Sequence, residues 1–281
     1  MLKVLKSGFY TSIQDKGRFG YLDKGVPSSG VMDGFSASIV NHLLENNETD
    51  AVLEITMTGP TLQFKGDTYI CIGGAAFSVT LNNIPIRNYK VYKVVKGDIL
   101  SFGKLEKGIR AYLGVKDGFL VDKVLGSRSF YKTITGKLSV EDSDQIPYSL
   151  TSEFSPKLQD VRIASVLEEQ VIEVYKGPEF SLLTDKHFEH LFSKNFSIAK
   201  ENNRMAYQLQ ESILGHQLSI LTSATLPGTV QLTPSGKIII LMRDGQTTGG
   251  YPRVLQLSEK SISVLAQKKQ GDAISFKLLM Y

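Results

Sequence analysis

The stretch "TLQFKGDTYICIGG", Thr61 to Gly74, carries the fold in miniature. Two short runs rich in β-branched and aromatic residues flank the turn triplet Lys65, Gly66 and Asp67, the pattern of strands cut by a turn. The same pattern recurs in "FSVTLNNIPI" (Phe77 to Ile86), "YKVVKGDILSFG" (Tyr92 to Gly103), "IRAYLGV" (Ile109 to Val115), "KIIILMRDG" (Lys237 to Gly245) and "DAISFKLL" (Asp272 to Leu279). Runs this short, bounded by Gly, Asn and Asp, predict a mainly β chain built as a barrel or sandwich. Only three segments read as helical. "MDGFSASIVNHLLENN" (Met32 to Asn47) spaces Phe35, Ile39, Val40, Leu43 and Leu44 near a period of 3.6. The other two lie around "DKHFEHLFSK" and "VLAQKK".

The chain has 281 residues, at the upper end of what one hydrophobic core serves. Apolar residues make up 42% and charged residues 21%, a balance that excludes a disordered class. No window reaches the roughly 18 apolar residues of a membrane span. "MLKVLKSGFY" has neither the apolar core nor the small-residue cleavage site of a secretory leader, so a cytoplasmic protein is expected. Cys71 is the single cysteine, which excludes an internal disulfide framework, and within "YICIGGAAF" it reads as a small buried hydrophobe. The net charge of +4 comes from scattered lysines with no basic run, which argues against nucleic acid and mildly favours a small anionic substrate.

A weak internal echo runs through the chain. "VLEITMTGPTLQF" (Val52 to Phe64) resembles "VIEVYKGPEFSLL" (Val171 to Leu183), and "VKGDILSF" (Val95 to Phe102) resembles "KQGDAISF" (Lys269 to Phe276). Pairs kept in order suggest two related β-lobes, 1–150 and 151–281, with the polar stretch Ser139 to Asp160 as linker.

The common catalytic signatures are missing: no G-x-x-x-x-G-K-[ST] loop, C-x-x-C, H-E-x-x-H or G-x-S-x-G occurs. His187 and His190 stand three apart on an expected helix, where a solvated face is favoured over a metal site. Two segments exceed structural need. Thr11 to Asp33 gathers Gln14, Asp15, Arg18, Ser29 and Asp33 among four glycines ahead of a helix. It reads either as an anion site of helix amides and an arginine or as a loop capped by Ser29 or Asp33. "RDGQTTGGYP" (Arg243 to Pro252) joins Asp244, Thr247, Thr248 and Tyr251 to the adjacent Gly249 and Gly250. It reads either as a nest of backbone amides facing a ligand or as a long hairpin loop.

Five motifs in order carry a resemblance: "QDKGRFGYLDKGVPSSGVMD", "LEITMTGPTLQF", "NNRMAYQL", "PGTVQLTPSGKIIILMRDGQTTGGYPRV" and "AQKKQGDAISF". Together they resemble the biotin-dependent carboxyltransferase / allophanate hydrolase subunit 2 family. This KipA-like family includes the third subunit of prokaryotic 5-oxoprolinase. The match runs from Ser7 to Phe276 and departs at Ala206, where the family often has glycine.

The resemblance implies two cyclophilin-like β-barrel lobes and an obligate partner, the related second subunit, beside a lactam-utilisation subunit. It implies a subunit of ATP-dependent 5-oxoprolinase, which opens a lactam to glutamate, with ATP and Mg²⁺ shared with partner subunits. No biotin-carrier Met-Lys motif occurs, so no biotin is attached to this chain. The alternatives are a biotin-dependent carboxyltransferase component of the urea carboxylase type and a regulatory antagonist of a sensor-kinase inhibitor. Under the main reading, Arg18 or Arg204 takes the substrate carboxylate, the Gly249 and Gly250 amides take the lactam oxygen, and Asp33, Glu54 and Asp244 move protons or hold Mg²⁺. Gln14, Ser29, Gln231, Thr247, Thr248 and Tyr251 complete the expected binding set.

Overall fold

The computed structural model describes residues 1–163 and 166–279, which divide into two compact units. One comprises Met1–Arg18 and Ser29–Leu167; the other comprises Phe19–Ser28 and the chain from Glu168.

The first unit holds nine strands: β1 (Leu2–Lys6), β2 (Tyr10–Gln14), β3 (Val52–Thr56), β4 (Thr61–Phe64), β5 (Thr68–Leu81), β6 (Ile84–Ile86), β7 (Val91–Val94), β8 (Ile99–Val115) and β9 (Gln145–Ile146). They form one sheet ordered β2-β3-β8-β4-β1-β9, with β5 pairing β6, β7 and β8. The Lys65 to Asp67 turn separates β4 from β5 as expected, but the two strands do not pair with each other. β4 lies on β1 and β8, while β5 runs antiparallel to β8 from Ile70↔Val115 to Leu81↔Leu100. Register shifts between Gly74 and Val79 are bulges that curl this long ribbon. Gly74 is required there: its φ is +80°, and a β-carbon would lie 2.5 Å from the Arg110 carbonyl oxygen.

Helix α1 (Gly34–Leu43) packs against β5 and β8. Its Val40 meets the sheet where glycines leave room, since a β-carbon at Gly114 would lie 2.6 Å from Val40 Cγ1. The buried face is Ala37, Val40, Leu43 and Leu44, whereas Phe35, expected on that face, is 41% exposed. The stretch expected to be a linker lies within this unit instead. Its β9 pairs with β1, Val140 and Tyr148 are buried, and the Tyr148 hydroxyl donates to the Gly66 carbonyl at 2.6 Å. Its polar composition reflects turns that satisfy one another, as where Glu141 N–H donates to Asp144. A single-turn helix, α2 (Lys132–Thr135), precedes it.

The second unit contributes β10 (Val171–Lys176), helix α3 (Asp185–Ser193), β11 (Phe196–Asn202), β12 (Ala206–Leu209), β13 (Ser223–Ala224), β14 (Thr229–Leu232), β15 (Ile238–Leu241), β16 (Thr248–Gly249), β17 (Arg253–Leu257), helix α4 (Glu259–Ala266) and β18 (Ala273–Leu278). Seven strands close a barrel in the order β10-β17-β14-β15-β12-β11-β18. An odd ring cannot alternate direction throughout, and the one parallel join is β10 with β18. Closure leaves no free edge to pair with other chains. β13 and β16 form a separate two-stranded ribbon. The echo is kept in β3 and β10 but breaks at its second half, because β4 is a strand while Phe180–Leu182 is a 3₁₀ turn.

Ser258 caps α4 by accepting from Ser261 N–H, so the helix starts at Glu259 and ends within "VLA" instead of running through "QKK". His187 is buried, not solvated: its Nδ1 accepts from Thr184 N–H at 3.2 Å in the capping box of α3. No helix among the described residues is long and apolar enough to cross a membrane.

Candidate functional site

The expected site residues fall into two groups, one in each unit. In the first unit they are locked into a buried polar network. Glu54, on β3, is fully buried, and its Oε2 accepts from the Met32 N–H at 2.7 Å and the Tyr112 hydroxyl at 2.9 Å. Its Oε1 lies 3.9 Å from Nε of the equally buried Arg110. Tyr112 hydroxyl in turn accepts from Asp33 N–H at 2.8 Å. Burial, followed by the Glu54 and Asp33 charges, pushes the Tyr112 phenol well above its ordinary range, so it remains a neutral donor. Asp33 is the N-cap of α1, accepting from Ser36 N–H at 3.0 Å and Ser36 hydroxyl at 2.6 Å. Of the two readings of this segment, Asp33 capping is the one observed, with the protein's own carboxylates at the helix start.

Arg18 is 1% exposed and donates to the Val124 carbonyl at 3.3 Å and the Ser129 carbonyl at 2.8 Å. Asp15 takes Ser127 and Ser129 hydroxyls at 2.7 Å each, fastening the same loop. Gln14 donates to Ser12 Oγ and the Phe130 carbonyl. Ser29 is buried with φ at +52°. Cys71 is buried as expected, and burial pushes its thiol up to about 12, which removes it as a nucleophile near neutral pH.

In the second unit, Arg204 and Asp244 face each other as a two-point fork, with Nε 2.7 Å from Oδ2 and Nη2 3.2 Å from Oδ1. Nearby, strand register builds a pocket. Gln231 on β14 pairs with Ile239 on β15, and Ile239 pairs with Gln208 on β12, so these three share one face of the barrel wall. Val230, Ile240 and Tyr207 pair in the same way on the opposite face and are fully buried. Ala206 and Leu241, also paired, extend the first face. The resulting pocket holds about 250 Å³ and is also lined by Glu201, Asn203, Gln246 and Tyr251. The departure at Ala206 therefore puts a methyl group into the pocket wall.

The "TTGG" segment is half ribbon and half turn. Thr248 pairs with Ala224 and Gly249 with Ser223, while Thr247 carbonyl accepts from Thr225 N–H at 2.9 Å. A β-carbon on Gly249 would collide with the side-chain amides of Gln231 and Gln246, so glycine is needed for those amides to lie against the backbone. Gly250 has open space around it and no positive φ, so nothing in its surroundings demands glycine. The expected binding set lacks Gln208, Gln246 and Asn203; the alternation "AYQL" marks Gln208 as facing away from Tyr207, and Gln246 lies within "RDGQTTGGYP".

Asp33, Glu54 and Asp244 each have their oxygens engaged within the protein, and among the described residues no three His, Cys, Asp or Glu side chains gather as a metal-binding group. These three carboxylates, already bonded within the protein, do not fit the Mg²⁺-holding role expected of them.

Residues 24–278 match the carboxyltransferase domain, subdomain A and B. The chain belongs to this family. It is 32% identical over 282 residues to a 5-oxoprolinase subunit, the one designated C, of Escherichia coli strain K12, covering 98% of this chain and 90% of that protein. The 5-oxoprolinase subunit of the same designation in Haemophilus influenzae is 31% identical over 284 residues, covering 99% and 91%. The crystal structure of Kluyveromyces lactis urea carboxylase superposes with a TM-score of 0.89 at 29% identity, over 99% of this chain and 27% of that one. The family resemblance carried by the five motifs and the mainly β fold both hold.

Proposed function

We propose that this carboxyltransferase-family chain is a subunit of an ATP-dependent 5-oxoprolinase, which opens the lactam of 5-oxoproline to glutamate. The observation that carries the reading is similarity along nearly the full length of two proteins that are themselves 5-oxoprolinase subunits. Similarity to urea carboxylase covers only about a quarter of that longer chain, and the carboxyltransferase role is accordingly the second reading.

Opening a lactam is uphill without activation, so ATP phosphorylates the amide oxygen and makes the carbonyl open to attack. The buried carboxylates of this chain are engaged internally, so ATP and Mg²⁺ are assigned mainly to the related second subunit and a lactam-utilisation subunit. On this reading the chain is inactive alone and works as part of a cytoplasmic hetero-oligomer. Co-expression with those subunits and an assay of 5-oxoproline-dependent phosphate release tests it. Phosphate release should require all subunits together.

A further inference from the structure

A pocket of about 420 Å³ lies within the first unit, and none of the residues lining it belongs to the expected site. The bulge in β5 makes one side: Gly74 turns to a φ of +80°, and the register shifts between it and Ala76. Asn88 and Tyr89 make the next side. Tyr89 takes a φ of +56°, a left-handed conformation that non-glycine residues adopt rarely and that recurs where backbone is shaped around a ligand. The segment after Asp160 closes the recess. It is fastened along the same edge, with Val161 N–H donating to the Tyr89 carbonyl at 3.0 Å and the Gln159 carbonyl accepting from Val91 N–H at 2.8 Å. This segment supplies Val161, Ile163, Val166 and Leu167 as apolar lining.

The donors of the wall are taken, with one exception. Asn88 Nδ2 donates to the Gly74 and Ala75 carbonyls at 3.1 and 3.2 Å, which leaves it no N–H for a ligand. The Tyr89 hydroxyl accepts from Gly74 N–H at 2.8 Å and donates to Ser36 Oγ at 3.2 Å. Arg162 also lines the pocket, is exposed, and makes no ion pair or hydrogen bond with another described residue. No aspartate or glutamate stands among the described lining residues.

A recess of this volume, mainly apolar and with one unengaged charge, suits a small ligand with an apolar body and one anionic end. A single guanidinium matches the planar, two-oxygen face of a carboxylate, whereas a phosphate finds no second cation in the lining. We propose that this pocket binds a small aliphatic carboxylate, its chain against Val161, Ile163, Val166 and Leu167 and its carboxylate on Arg162. The site is independent of the 5-oxoprolinase reading.

The test titrates the purified full chain with butanoate, hexanoate and octanoate, and with 1-octanol as the uncharged control, by calorimetry or ligand-observed NMR. Affinity should rise along the carboxylate series by about fourfold per added CH₂. Arg162→Gln changes an exposed side chain and should leave the melting temperature in place. It should weaken octanoate by about threefold to tenfold and leave 1-octanol unmoved. Ile163→Glu sets a like charge in the apolar wall and should weaken octanoate further. 5-Oxoproline, which has no aliphatic tail, should not displace octanoate. No binding of octanoate to the wild-type chain, equal affinity for butanoate and octanoate, or wild-type affinity for octanoate in Arg162→Gln overturns the proposal. Displacement by 5-oxoproline also overturns it, by making the pocket part of the substrate site. A peptide ending in leucine that binds where octanoate does not overturns it in favour of a protein partner.

Discussion

Arg204 and Asp244 hold each other through two charge-assisted hydrogen bonds, both side chains less than a tenth exposed. A planar guanidinium on a carboxylate satisfies two N–H groups and two oxygens at once, and it ties the start of β12 to the loop after β15. Removing one partner leaves the other buried without its counter-charge. Asp244→Asn should therefore cost about 3 kcal/mol of stability in a urea titration. An unchanged unfolding midpoint would show that the fork contributes nothing.

Gly249 and Gly250 should separate sharply although they are neighbours. A methyl group on Gly249 must push aside the amide ends of the buried Gln231 and the exposed Gln246, and should cost about 1 kcal/mol. The same change at Gly250 meets nothing within 4 Å and should stay within about 0.5 kcal/mol. Thermal melts of the two alanine variants check this; equal losses would mean the Gln231 contact is not what requires Gly249.

Tyr112 bridges Asp33 N–H and Glu54 Oε2, so it fixes the start of α1 onto β3. Tyr112→Phe removes the acceptor for one buried group and the donor to another. The loss should be about 2 to 6 kcal/mol, twice the about 1 to 3 kcal/mol of a single unsatisfied group, with amide exchange speeding first at Asp33 and Ser36. Wild-type exchange at those amides in the variant would contradict the bridge.

Much of the fold was legible because strand signals are local. The turn after Phe64, the start of α1 near Asp33 and the burial of Cys71 follow from residue type and spacing within a few positions. Pairing was not legible. Nothing in "TLQFKGDTYICIGG" says that β4 turns away from β5, nor that Ser139 to Asp160 folds back onto β1. The site suffered most from this. Arg18, Glu54 and Asp244 stand out by type among glycines and strands, but their partners come from 111, 58 and 40 positions away. Gln231, part of the binding set that the resemblance implies, meets Ile239 and Gln208 only through strand register.

Glu179 and Arg253 give the chain an acid-sensitive joint between β17 and the 3₁₀ turn at Phe180. The hydrogen bond from Arg253 holds the Glu179 carboxyl below its usual range, and Glu179 raises Arg253 in return. A carboxyl depressed in the folded state stabilises above its unfolded value, near about pH 4.3, and loses that contribution as the pH falls through its folded value. The melting temperature should therefore drop between about pH 5 and about pH 3, and Glu179→Gln should lower the neutral-pH value and flatten that drop. A wild-type slope retained in Glu179→Gln would assign the acid sensitivity elsewhere.

The most direct measurement is phosphate release by the chain assembled with the related second subunit and the lactam-utilisation subunit, in ATP and Mg²⁺, with and without 5-oxoproline. The account predicts release that depends on 5-oxoproline, appears as glutamate in equal amount, and vanishes when this chain is left out. Undiminished release without this chain, or none with every subunit present, would contradict it.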